Sequence, residues 1–259
     1  MPFHWQRNWV AFQTIVIKEV TRFTRIWVQT ILPSGITTAL YLLIFGGLIG
    51  ERVGEMDGYT YMDYIVPGVI MLAIITNSYG NVVSSFYGTK FQRHIEEMLV
   101  APVPHWLIVV GYVAGGVARG LVVGLLVTLV AAVFTDLRFE HPLLTVLIAA
   151  LTATVFALGG FINALFARSF DDISIVPTFV LTPLTYLGGV FYSITLLAPF
   201  WQAASLANPI LYMVNAFRYG ILGVSDIPIA VAFAIILAFI AVLGTAAVVL
   251  LNRGVGVKS

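Results

Sequence analysis

Residues Tyr87 to Trp106 read Tyr-Gly-Thr-Lys-Phe-Gln-Arg-His-Ile-Glu-Glu-Met-Leu-Val-Ala-Pro-Val-Pro-His-Trp, a polar island between two long apolar runs. Thr89 is placed to cap a helix in which Phe91, Ile95, Met98 and Leu99 fall at i, i+4, i+7 and i+8, while Lys90, Arg93, His94, Glu96 and Glu97 take the other faces. Pro102 and Pro104 end it, because proline removes a backbone donor and biases the preceding residue away from helix. A helix over 89–100 is about 18 Å long at 1.5 Å per residue, short of a bilayer's hydrocarbon core, so it is expected to lie along the membrane surface. Two roles fit it: a solvated connector resting its apolar side on lipid, and a docking element for a partner subunit.

The rest of the chain explains why a membrane is invoked. Apolar residues make up 60% of it and charged residues only 10%, which excludes an ordinary soluble domain and indicates an all-α, polytopic membrane protein. The net charge is +1 and no block of lysine and arginine occurs, so nucleic acid is not expected as a partner. The absence of cysteine rules out disulfides, thiol catalysis and cysteine-ligated zinc. The opening residues, with Trp5, Arg7 and Trp9, are not expected to form a signal peptide.

Trp5, Trp9, Phe12, Val16, Val20, Phe23 and Trp27 recur at helical spacing, with Arg7, Lys18, Arg22 and Arg25 between them. Residues 1–28 are therefore expected to form an amphipathic helix in the membrane interface, tryptophans at headgroup depth, or else a helix packed on a partner protein. Residues 29–259 are expected to form one membrane domain. Its first span covers about 31–49 and leaves through a polar loop, 50–58, carrying Glu51, Glu55 and Asp57. The second covers about 61–86 and the third about 107–134. The third holds Gly111, Gly115, Gly116, Gly120 and Gly124, two interlaced series at four-residue spacing that let helix backbones approach closely. A fourth span over 142–166 and a fifth over 173–192 are joined by the turn 167–172.

Between Ser193 and Gly223 the pattern breaks, because Pro199 and Asn208-Pro209 cut it into two pieces, 195–207 and 208–223, each too short to span. They read as a re-entrant helical hairpin, with an ordinary kinked span over 194–213 as the alternative. A sixth span over about 228–251 follows. Arg7, Lys18, Arg22, Arg25, Lys90, Arg93, Arg168, Arg253 and Lys258 fall on one side, and only Arg52, Arg138 and Arg218 on the other. The positive-inside rule then gives six spans with both termini cytoplasmic, and favours the hairpin over the kinked span.

Several chemistries find no residues. No lysine follows a glycine, so there is no GxxxxGK[ST] to cradle nucleotide phosphates, and ATP would have to be bound by another chain. HExxH and GxSxG are absent, and no buried acid for a proton relay is apparent. Arg119 is the one charge placed well inside a span. It either lines a translocation path, meeting an anionic headgroup or substrate, or snorkels to the inner interface from a tilted third span. Asp63, Asp226 and Arg218 read as anchors near the outer face.

Together these features resemble the membrane-spanning permease subunits of ABC type-2 exporters, nearest the small permeases of drug and lipo-oligosaccharide export. The resemblance covers nearly the whole chain. It rests most on Arg93-His-Ile-Glu-Glu-Met-Leu-Val-Ala-Pro-Val-Pro, where the family places a coupling helix. It rests also on the run from Pro183 through Gly188-Gly-Val-Phe-Tyr-Ser, Ala198-Pro-Phe-Trp and Asn208-Pro-Ile to Arg218-Tyr-Gly. The resemblance implies a homodimer of this chain in the cytoplasmic membrane of a bacterium, driven by two copies of a separate ATPase subunit that binds ATP and Mg. It assigns Phe91, Ile95, Met98 and Leu99 to the apolar contact with that ATPase and Arg93, Glu96 and Glu97 to its polar rim. It implies no catalytic residue, cofactor or metal in this chain. The cargo it implies is hydrophobic or amphipathic: a drug-like compound, a lipid or a lipid-linked glycan. An ATP-independent scramblase or channel and an intramembrane lipid-modifying enzyme are the other readings.

Overall fold

The computed structural model describes residues 2–257; Lys258 and the side chain of Glu51, both used in the sequence reading, lie outside what it describes. The chain is helical almost throughout. Helix α1 (Pro2–Arg25) leads through α2 (Trp27–Thr30) and α3 (Leu32–Tyr41) into a wide π-helical stretch, Leu42–Ile49, and a last turn, α4 (Gly50–Val53). The loop expected at 50–58 instead holds a two-stranded hairpin, β1 (Glu55–Met56) and β2 (Tyr59–Thr60), turning at Asp57-Gly58. Both turn residues have positive φ, 51° and 81°, which is what a two-residue hairpin loop requires.

Next come α5 (Tyr61–Phe91), α6 (His94–Val100), α7 (His105–Ala131) and α8 (Pro142–Phe166). Then α9 (Asp172–Val176) runs through a π-helical turn, Pro177–Leu181, into α10 (Thr182–Tyr186). A 3₁₀ turn (Ile194–Leu196), α11 (Pro199–Leu206), α12 (Pro209–Leu222) and α13 (Ile229–Asn252) complete the chain. Among the described residues, five helical segments are long and apolar enough to cross a membrane: Trp27–Ile49, Tyr61–Phe91, His105–Ala131, Pro142–Phe166 and Ile229–Asn252.

The fifth expected span, 173–192, is not among them. Its helical part stops at Tyr186, so it rises only about 22 Å. Pro177 and Pro183 each withhold a backbone donor from it, and Gly189, at φ 71°, turns the chain back. Helices α11 and α12 meet at Asn208, whose side chain accepts the Ile210 N–H at 3.0 Å and caps α12. At about 12 and 21 Å, neither crosses a bilayer alone.

Helix α5 is the axis of the bundle, buried around most of its circumference and packed on α7, α8 and α12. Close approach needs glycine. A Cβ on Gly160 would meet the Tyr79 carbonyl oxygen at 2.6 Å, and one on Gly68 would run into the Val190 backbone. The interlaced glycines of α7 serve two different neighbours. Gly116, Gly120 and Gly124 lie against Val82, Ser78 and Ile74 of α5, whereas Gly111 and Gly115 lie against Ile15 and Glu19 of α1.

That contact corrects the expectation for the N-terminal helix. Its tryptophans are exposed, as an interfacial helix needs, with Trp5 79% and Trp9 51% accessible. Its other face is not free, because Ile15, Glu19 and Phe23 are buried against the chain's own bundle.

Candidate functional site

The 31 residues of α5 rise about 46 Å, some 16 Å more than a hydrocarbon core is thick, so the helix is long enough to project past that core. Thr89 does not cap a new helix there. It stays inside α5, its hydroxyl donating to the Ser85 carbonyl at 3.0 Å and lying 2.9 Å from the Tyr112 hydroxyl. Lys90 Nζ donates to the Leu165 and Ala167 carbonyls at 2.8 and 2.6 Å, placing a cation on the C-terminal end of α8. The break comes at Arg93, a non-glycine residue in the left-handed region at φ 62°, after which α6 runs only seven residues.

The short helix presents a different face from the one its periodicity suggested. Ile95 is 2% exposed and packs into the core of its own chain, with Met98 and Leu99 half-buried beside it. The Tyr112 hydroxyl donates to Met98 Sδ at 3.8 Å. An inward-turned Ile95 cannot be a partner's contact. Outward are Arg93, His94, Glu96, Glu97 and Val100. Phe91 is 64% exposed, its ring 5.1 Å from that of Phe170, which is 53% exposed in the next turn at the same end of the bundle. The Phe170 ring also meets Tyr87 edge-on at 4.9 Å.

Sequence reasoning missed Phe170. Its cue was local: a phenylalanine set among Arg168, Ser169 and Asp171. The turn is held by a reciprocal pair, the Ser169 hydroxyl accepting the Asp172 N–H at 3.1 Å while Asp172 Oδ2 accepts the Arg168 and Ser169 N–H groups at 2.8 and 3.1 Å. The Arg168 N–H, foremost, holds the Asp172 carboxyl below the usual carboxylate range.

Behind this end a polar seam joins α1 to α5. Asn77, Asn81, Ser85 and Thr89 recur every fourth residue along α5, all buried. Each meets a charge. Lys18 Nζ reaches the Thr89 hydroxyl at 3.3 Å, Ser85 donates to Glu19 at 2.6 Å, Arg22 donates to Asn81 Oδ1 at 2.8 Å, and Arg119 donates to Asn77 Oδ1 at 3.0 Å. Glu19 has no exposed surface and lies 3.9 and 3.6 Å from Lys18 and Arg22. It is the buried acid that the sequence reading did not find. The visible signal was the four-residue polar repeat in an apolar span, facing one acid flanked by bases.

A cavity of about 500 Å³ opens between α3, α5 and the α9–α10 run, lined among others by Ser34, Thr38, Thr76, Tyr79, Tyr186 and Phe191. None of the residues lining it is charged. Phe191 stacks on Phe45 at 5.0 Å and on Tyr186 at 6.0 Å, closing the end farther from α6. Arg119 is not on the wall. It sits one residue behind it, bonded to Asn77 and to the Thr30 carbonyl.

Arg218, read as an outer anchor, is 1% exposed. Its Nη2 donates to the Gly189 carbonyl at 2.6 Å and its guanidinium lies 4.1 Å from the Tyr64 ring centroid. It therefore fastens the turn after α10 to α12, within the hairpin region that holds Pro199, Asn208 and Pro209.

Comparison with known proteins finds relatives over nearly the whole chain. It is 55% identical over 251 residues to the inner membrane transport permease YadH of Escherichia coli (strain K12), covering 97% of this chain and 98% of that one. It is 24% identical over 220 residues to Nodulation protein J of Rhizobium leguminosarum bv. viciae, covering 85% and 81%, and 24% identical to that of Rhizobium meliloti (strain 1021), covering 85% and 80%. The family model for ABC-2 type transporters matches residues 10–222, through α1, the α5–α6 break, the cavity and the hairpin. The chain belongs to the ABC-2 type transporter membrane family.

Proposed function

We propose that this chain is the permease subunit of an ABC exporter in a bacterial inner membrane, working as a homodimer with a separate ATPase that binds ATP and Mg. In this reading residues 1–259 form one permease domain with six spans, the α9–α10 run supplying the fifth, and both termini lie in the cytoplasm with α6. The α11–α12 hairpin enters from the outer side. Cargo, hydrophobic or amphipathic, passes through the cavity flanked by α3 and α5, among membrane lipids that solvate the outer faces.

The observation that carries the proposal is the reach of α5, from the cavity wall to the turn that leads into α6. One helix runs the depth of the bundle, lines the cavity with Val69, Leu72, Ala73 and Thr76, and ends in the exposed Phe91 beside α6. A load applied at Phe91 therefore reaches the cavity wall through a single helix, with α6 packed beside its end. The docking face is Phe91, Phe170 and Val100 as apolar anchors with Arg93, Glu96 and Glu97 as rim, an arrangement that supplies both binding and orientation. Closure of paired ATPases on ATP would tilt both copies of α5 and switch access to the cavity.

Reconstitution with the ATPase subunit tests this. Glu97→Arg, or deletion of 94–100, should cut ATP-driven transport at least tenfold while the dimer stays intact. Full coupling in either variant, or full transport with no ATPase present, would overturn the proposal.

A further inference from the structure

The wall of the cavity carries a hydrogen-bond polarity that Arg119 sets from behind. A guanidinium can only donate, so its bond to Asn77 Oδ1 at 3.0 Å fixes which way that amide points. The Asn77 NH₂ then faces Ser34 Oγ and the Ala73 carbonyl, each at 3.0 Å. Ser34 Oγ must accept, and its own proton is left over; among the described residues it donates to nothing. Ser34 lines the cavity.

Its neighbours on the wall are arranged the other way. Thr38, Thr76, Thr182 and Thr185 each donate their hydroxyl proton to a carbonyl of their own helical run, at 2.8, 2.9, 2.9 and 2.6 Å. They turn only lone pairs to the cavity. Ser34 thus offers a donor beside these acceptors, and of the wall hydroxyls that keep a free proton, Thr37 among them, it is the one that the positive charge behind Asn77 polarises through the chain of hydrogen bonds.

We infer that the cavity seats the uncharged polar head of an amphiphile, a carbonyl, ether or hydroxyl oxygen accepting from Ser34, and that Arg119 is a positioning residue acting through Asn77 without touching the cargo. The head's own donors meet the threonine oxygens, and its apolar part lies against Tyr186 and Phe191. A phosphate head is excluded, because no cation on the wall replaces the water an anion would lose. The inference rests on the proposed passage of cargo through this cavity.

The test uses the full chain in lipid nanodiscs, with n-dodecyl β-glucoside and dodecyl phosphate as probes below their micellar concentrations and the thermal unfolding midpoint as readout. The glucoside should raise the midpoint saturably and the phosphate should not. Ser34→Ala should raise the half-saturating glucoside concentration about tenfold, whereas Thr37→Ala, on the same wall but outside the relay, should change it less than twofold. Arg119→Met should match Ser34→Ala, Arg119→Lys should recover part of the loss, and the double variant Ser34→Ala/Arg119→Met should lose no more than either alone.

Equal stabilisation by dodecyl phosphate, no shift with either probe, or additive losses in the double variant would overturn the inference. Should Arg119→Met fail to fold, the contrast between Ser34→Ala and Thr37→Ala still decides. Because the readout needs no ATPase, its failure is separable from failure of the proposed coupling.

Discussion

The two sides of α5 are built from different materials. Toward α8 and the turn after α10 the contacts are mostly apolar and intimate, with backbone against backbone at Gly160 and Gly68 and polar contacts chiefly near the ends, at Lys90 and Tyr61. Toward α1 and Arg119 the contacts are a ladder of amides and hydroxyls, each holding a charge. Packed backbones have one good arrangement, whereas hydrogen-bonded rungs at equal spacing can be exchanged. The difference marks which neighbours travel with α5 when it moves and which can be repositioned against it.

The largest expected effect breaks the apolar side. In Gly160→Ala the new methyl meets the Tyr79 carbonyl, which cannot turn aside, so about 3 kcal/mol of stability should be lost in detergent unfolding. Gly115→Ala places its methyl against the Glu19 side chain on a helix that can shift. Its cost should be visibly smaller, and equal costs would mean that the two sides are equally rigid.

Next in size is the seam itself. Glu19→Ala leaves Ser85 and the neighbouring cations without their acceptor, and a loss of about 2 kcal/mol is expected, held down because Lys18 and Arg22 reach solvent. Glu19→Gln keeps an acceptor for Ser85 and should recover about half of it. An Ala variant as stable as wild type would show that the ladder is not engaged.

Substitution at the exposed end should change function without stability. Phe91→Ala with Phe170→Ala removes rings that are more than half exposed, so the unfolding free energy should stay within about 0.5 kcal/mol of wild type. Coupled ATP hydrolysis should nonetheless fall about tenfold. The smallest effect belongs to the Phe170 turn. The Asp172 carboxyl is held low in the folded chain, so its contribution is present above the ordinary carboxylate pKa and fades as pH falls through the lowered one. The protection factors of the Arg168 and Ser169 amides against hydrogen exchange should therefore fall only below about pH 4.

How far the sequence could be read follows from the same contrast. The fourth span was legible to the residue, since no charge interrupts 142–166 and α8 is Pro142–Phe166. The apolar repeat at Ile95, Met98 and Leu99 was legible too, but periodicity cannot say what covers an apolar face, and here the chain covers it itself. Glu19 was hidden for a related reason: in an amphipathic helix charges are assigned to water unless a polar partner is known. The partner, the Asn77 to Thr89 repeat, lies some sixty residues away. Arg218 and Arg119 were both noticed, but burial in a hydrogen-bonded socket and exposure to a path look alike until the neighbours are placed. The fifth span was read as far as Tyr192, past the helix end at Tyr186, because its prolines were given less weight than its hydropathy.

The central claim is that the α6 end of the bundle faces the cytoplasm and is covered there by an ATPase. The most direct measurement is labelling of Phe91→Cys, introduced into a chain without other cysteines, by a membrane-impermeant maleimide. In inverted membrane vesicles the thiol should label rapidly, and adding the ATPase subunit should slow it at least tenfold. Labelling from the outer face of intact cells, or a rate indifferent to the ATPase, would contradict the account.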